Sequence, residues 1–189
     1  MPKINPALLA FVFGAVGTPC FAQTIEEKLR GCDSCHGELG IPKDKNTPVI
    51  WGQVQGYIDN QLSDFKAGRR VSEQMAASVR DLDRFDIVAI SEHYSQKEWP
   101  DLQQPTAPPE VAQRAEQLVA QRQCTASGCH VGFMGGIFAP RLAGQFQEYL
   151  TTNIKAFQSK MRRFNLMEEA VDPLTDADIE ALSRYLAGL

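Results

Sequence analysis

The sequence is poor in the features that mark several function classes. Only three histidines occur among its 189 residues, His36, His93 and His130, so few imidazoles are available for catalysis or metal binding. The two signs of charge nearly balance, and a net charge of −4 leaves no basic footprint for a nucleic acid. The apolar run of residues 7–17, ALLAFVFGAVG, is shorter than the roughly 20 residues that span a bilayer. No stretch alternates convincingly as a strand, so an all-α fold is expected.

What is present begins with a leader. Lys3 precedes the apolar run, and Cys20 and Ala22 stand as small residues at −3 and −1 of a processing site. This pattern predicts a signal peptide over residues 1–22, cleaved after Ala22, and hence export to the periplasm. Pro19 directly before Cys20 is a poor neighbour for a lipoprotein anchor.

Four cysteines then remain: Cys32, Cys35, Cys124 and Cys129. Each pair is followed directly by a histidine, His36 or His130. The first site, CDSCH, is the attachment signature of c-type haem. Two thiols at this spacing reach two vinyl groups on one porphyrin edge, and the next residue places an imidazole under the iron. A redox dithiol does not need the histidine, and tetrahedral zinc needs four ligands. The second site, CTASGCH, has four residues between its cysteines. Taken alone it is open between a haem site, a disulfide and a vestigial site.

An internal repeat bears on that choice. GQVQGYIDNQLSDFKAG from Gly52 matches GQFQEYLTTNIKAFQSK from Gly144 at an offset of 92 residues. The apolar positions coincide at helical spacing, and a proline, Pro48 or Pro140, lies four residues ahead of each. At the same offset Cys32 falls on Cys124, Met75 on Met167 and Asp86-Ile87 on Asp178-Ile179. The two extra residues inside the second cysteine pair are offset by two fewer after its histidine. This favours a second haem site with a bulged attachment loop.

The repeat predicts two tandem helical domains, residues 23–100 and 109–189. Residues 101–108, with Pro105 and Pro108, form a stiff proline-rich linker. Domains of this size need a staple, and haem would supply it. Helices are expected over TIEEKLRG with Thr24 as cap and Glu27 at the third position, over PEVAQRAEQLVAQRQ with Pro109 in the first turn, and over the two Gly-Gln segments. DLDRFDIVAISEHYS and TDADIEALSRYLAG, the latter with a Thr175–Asp178 capping box, should close each domain.

A haem iron held by one histidine has an open position, and a methionine there makes an electron carrier. Met75 is the methionine of domain one. In domain two, the register of the repeat selects Met167 over Met161, which matches Arg69, while Met134 lies only four residues from His130. His93, matched by Tyr185, reads as a packing residue. The carbonyls of Pro48 and Pro140 are candidates to accept the ring N–H of His36 and His130 and fix the tautomer. Arg70 matches Arg162, which suggests a role at a haem propionate or at the domain interface.

With these residues in hand, the chain resembles the di-haem class I cytochromes c of the cytochrome c4 family. The likeness lies in CDSCHGELG, in TPVIWGQVQGYIDNQLSDFKAGRR with Met75, and in APRLAGQFQEYL with Met167. It implies two class I cytochrome c domains related by a pseudo-two-fold axis, with haem propionates meeting near the interface. It also implies two covalently attached haem c groups, each ligated by His and Met, and periplasmic electron transfer with membrane or soluble oxidoreductases rather than enzymatic activity. Two departures are the widened second cysteine pair and Val131 after His130, where the family pattern has glycine. The di-haem subunit of flavocytochrome c sulfide dehydrogenase is similar in organisation, which keeps a role as the electron-transfer subunit of a larger oxidoreductase open.

Overall fold

The computed structural model describes residues 23–189, and the predicted leader lies outside them. Eight α-helices occur among the described residues, with no strand: α1 Ile25–His36, α2 Gln55–Lys66, α3 Glu73–Val79, α4 Arg84–Ser95, α5 Pro109–Gln121, α6 Gln147–Gln158, α7 Asn165–Val171 and α8 Asp176–Ala187. A 3-10 turn covers Val131–Phe133. Moved by the repeat offset of 92, the bounds of α2, α3 and α4 fall residue for residue on those of α6, α7 and α8.

Local signals explain most helix ends. Thr24 and Glu27 form the expected capping box of α1, and Thr175 and Asp178 that of α8. Asp83 and Asp86 form a third, at the start of α4. Pro109 begins α5, where its missing N–H costs nothing. Helices α3 and α7 were not foreseen. Each has seven residues, too few to show a helical period.

In the first half, α2 packs on α4 around Ile58, Leu62, Phe65, Ile87, Ile90 and Tyr94. In the second half, α8 lies against α5 and α6 around Leu118, Phe157, Ile179 and Leu182. The Gly-Gln corners are tied to these cores alike. The Gly52 N–H donates to the Tyr94 carbonyl at 2.8 Å and the Gly144 N–H to the Leu186 carbonyl at 2.9 Å, again a pair related by the repeat. Both glycines have positive φ, and a Cβ on Gly52 would stand 2.9 Å from the Trp99 backbone nitrogen.

The two halves grip each other through swapped arms. Gln145 accepts from the Val49 N–H and donates to the Val49 carbonyl, both at 3.1 Å. Gln53 accepts from the Arg141 N–H at 2.7 Å and donates to the Arg141 carbonyl at 3.0 Å. Arg70 donates to Gln61, Tyr149 and Asn153, and Arg162 donates to Asn153, Tyr57 and Gln61. Each guanidinium also lies over a phenylalanine ring of its own half, Phe65 or Phe157. Every partner in one set is the repeat mate of a partner in the other, which is pseudo-two-fold symmetry written in hydrogen bonds.

The connecting segment is strapped down rather than merely stiff. The Gln104 side chain donates to the carbonyls of Gly144, Gln145 and Ala187. Ala107 is buried, and Arg141 stacks on Trp99 at 4.5 Å.

Candidate functional site

In the first half the site is built on the end of one helix. Cys32 and Cys35 are three apart on α1, a spacing that places them on the same face, and His36 is its last residue. The chain must then turn sharply. Gly37 takes φ +90°, and a Cβ there would lie within 2.3 Å of the Ile41 carbonyl oxygen. This turn brings Pro48 back to His36, whose Nδ1 stands 2.8 Å from the Pro48 carbonyl. The carbonyl can only accept, so Nδ1 carries the proton and Nε2 presents its lone pair. Burial lowers the His36 pKa, which keeps the imidazole neutral as a metal ligand must be. Tyr94, fully buried beneath α1, places its hydroxyl 2.8 Å from Asp33 Oδ1 and 3.1 Å from the Leu29 carbonyl.

The second half reaches the same end by a different route. Helix α5 stops at Gln121, and the attachment segment follows as turns. Gln123 takes a positive φ of 54°, the Cys129 N–H donates to Ala126, and the His130 N–H returns to the Cys124 carbonyl at 3.0 Å. That last bond closes the bulge made by the two extra residues. His130 is as buried as His36, at 8% against 7% exposure, and its Nδ1 lies 3.0 Å from the Pro140 carbonyl. Its pKa is likewise lowered by burial. His130 does not end a helix, so Val131 needs no left-handed conformation. The positive φ values shift to Gly132 and Phe133. This accounts physically for valine where the first site has Gly37.

All four thiols are unpaired, so the structure contains no Cys124–Cys129 disulfide. Burial raises the pKa of Cys32 and Cys124, leaving them as thiols. Met75 and Met167 are the third residues of α3 and α7. Both are half-buried and pack against the core of their own half. Met134 and Met161 are 54% and 71% exposed. His93 sits on α4 with its ring edge-on to Tyr94.

Between the halves lies a cluster that the sequence only hinted at through Arg70 and Arg162. Burial alone would raise the Tyr57 hydroxyl, but the Arg162 and Arg70 guanidiniums outweigh it and bring its pKa to about 8. Tyr149 is raised by burial and by Tyr57. The indole N–H groups of Trp51 and Trp99 are buried without a partner among the described residues. Donors left over in this way suit a cofactor that brings carboxylates. Two thiols, a neutral imidazole with a free Nε2 and a thioether in each half are the donor set that a covalently attached iron porphyrin requires. Among the described residues, no group of three His, Cys, Asp or Glu could hold a bare metal ion, and no helix is long and apolar enough to cross a membrane.

Comparison with known proteins gives the same direction. No protein-family model matches the chain. It is 33% identical to cytochrome c4 of Thiocapsa roseopersicina, over 92% of this chain and 94% of that one. It is 28% identical to the thiosulfate dehydrogenase electron acceptor of Thiomonas intermedia (strain K12), over 82% of this chain and 77% of the relative. The crystal structure of reduced recombinant cytochrome c4 from Pseudomonas stutzeri superimposes with a TM-score of 0.76 at 28% identity, covering 87% of this chain and 96% of that one.

Proposed function

The chain belongs to the cytochrome c4 family, whose members carry two covalently bound haem c groups in two class I cytochrome c domains, and we propose that it is a periplasmic di-haem electron carrier with both irons ligated by His and Met. Cys32 and Cys35 would hold one haem, with His36 and Met75 ligating its iron. Cys124 and Cys129 would hold the other, with His130 and Met167. The observation that carries this reading is the repeated bond from a buried histidine Nδ1 to a proline carbonyl, which leaves Nε2 free on a histidine that directly follows two unpaired cysteines in each half.

When bound, each haem supplies a one-electron couple. The protein's part would be to retain the group, supply two ligands to each iron and exclude water. The Pro48 and Pro140 carbonyls fix the imidazole tautomer and raise its basicity. A thioether from Met75 or Met167 on each iron would favour the reduced state and take the position a substrate would need, as suits electron transfer. The signal peptide over residues 1–22, cleaved after Ala22, delivers it to the periplasm. Carbon monoxide tests the closure: the reduced protein should not bind it at either haem, and prompt binding would contradict His/Met ligation there.

The similarity to a thiosulfate dehydrogenase electron acceptor favours one second reading, an electron-accepting subunit held by a larger oxidoreductase. Gel filtration of the protein from its native source separates the two. A free carrier elutes apart from any enzyme, and a subunit co-elutes with its enzyme.

A further inference from the structure

The swapped glutamines have a consequence beyond holding the halves together. The Pro48–Val49 peptide bond is used at both ends. Its carbonyl receives the His36 ring N–H at 2.8 Å, and its N–H donates to Gln145 Oε1 of the other half at 3.1 Å. The Pro140–Arg141 peptide bond repeats this. Its carbonyl receives His130 at 3.0 Å, and its N–H donates to Gln53 Oε1 at 2.7 Å. Both glutamines are buried, with 4% exposure at Gln53 and 2% at Gln145. Each is locked further by a bond from the next backbone N–H, Val54 or Phe146, to its own Oε1. Neither amide is free to turn away.

Hydrogen bonds in a chain polarise one another. An acceptor on the N–H of a peptide draws charge toward its carbonyl oxygen, which then accepts more strongly from the imidazole. The imidazole becomes a stronger donor to iron and favours the oxidised state. We propose that Gln145 lowers the reduction potential of the haem held by the first half, and Gln53 that of the haem held by the second, each through the proline peptide of the opposite domain. This rests on His36 and His130 as axial ligands. Both glutamines act through another group and are positioning residues. In this arrangement each domain carries the side chain that tunes the haem of its neighbour.

The test uses the full di-haem protein and NMR in both oxidation states. The haems are told apart by the assigned methyl signals of Met75 and Met167. The unmodified protein must first show ring Nδ1–H signals from His36 and His130 and ligated methionine methyls. Their absence overturns the ligation, and this proposal with it. Gln145→Leu should then move the His36 Nδ1–H signal upfield and leave that of His130 in place. At a fixed solution potential it should raise the reduced-to-oxidised ratio of the first-half haem about three- to tenfold, given the ~10–100-fold effects of partners one bond closer to a metal. Tenfold is about 59 mV for one electron. Gln53→Leu should do the same to the other haem. Gln145→Asn, one methylene too short to reach Val49, gives the same readout should leucine disturb the packing. The proposal is overturned if the haem of the mutated domain shifts instead, if both shift together as from a loosened interface, or if the ring N–H signals stay where they are.

Discussion

The two halves of this molecule agree residue for residue over three helices and disagree over one. Helices α2, α3 and α4 have exact counterparts at the repeat offset, yet α1 runs through its cysteines to His36 while α5 ends before Cys124. The buried histidine nonetheless meets a proline carbonyl in both. The backbone route to the site is therefore free to vary, while the position of the imidazole is fixed by what it must touch. Two extra residues cost the second half its helical attachment segment, and the bond from His130 N–H to the Cys124 carbonyl contains the damage locally.

The comparison can be broken most severely at the methionines. Met75→Leu or Met167→Leu should change carbon monoxide binding by the reduced protein from none to one equivalent, at the mutated half alone, read by optical titration. Met161→Leu, at a side chain 71% exposed, should leave both haems closed. Binding after Met161→Leu but not after Met167→Leu would reverse the choice made from the repeat.

A smaller but one-sided effect is expected after the histidines. Gly37→Val forces a β-branched residue to φ +90° and drives its Cβ into the Ile41 backbone. It should cost about 3 kcal/mol or more in denaturant unfolding. Val131→Gly, at the corresponding place after His130, should cost under about 1 kcal/mol, because Val131 is half-exposed and outside the left-handed region. Equal losses would show that the two attachment segments are not as different as their backbones indicate.

The repeat mates Asp86 and Asp178 sharpen the likeness. Each closes a capping box and pairs with a base on the first helix of its half, Lys28 at 2.6 Å and Arg114 at 2.6 Å. For Asp86, burial opposes ionisation, but the bonds from Lys28 and the Asp83 backbone outweigh it and lower the pKa. For Asp178, the Thr175 backbone bond leads, with Arg114 added, against burial. A depressed folded pKa stabilises above the unfolded value near 3.9 and loses that contribution as pH falls through the folded value. Either Asp→Ala variant should lose about 1–3 kcal/mol at neutral pH, and the gap to the unmodified protein should close below about pH 4. A gap independent of pH would assign the loss to packing alone. Smallest of all, Lys155→Ala removes an exposed pair with Asp176 and should change stability by less than about 0.5 kcal/mol.

Much of this was legible in the sequence because the deciding signals are local. Thr24, Pro109 and Thr175 announce helix starts, and the matched Gly-Gln segments announce a duplicated domain. Cys32, Cys35 and His36 carry their chemistry in five residues. What was hidden depends on contacts distant in the chain. Gln53 and Gln145 stood in the repeat as letters after a glycine, and only folding brings them to partners 88 and 96 residues away. Helices α3 and α7 are too short to display a period, and α7 lacks a side-chain cap. The linker read as extended proline-rich chain, whereas Gln104 straps it to the second half through carbonyls that no sequence pattern reveals.

The claim beneath all of this is that the widened pair Cys124 and Cys129 serves the same end as Cys32 and Cys35. Intact mass of the purified protein under denaturing conditions tests it most directly. The account predicts residues 23–189 plus two covalently retained haems. The same chain with a single haem would contradict it, and would leave one cysteine pair without a covalently held haem.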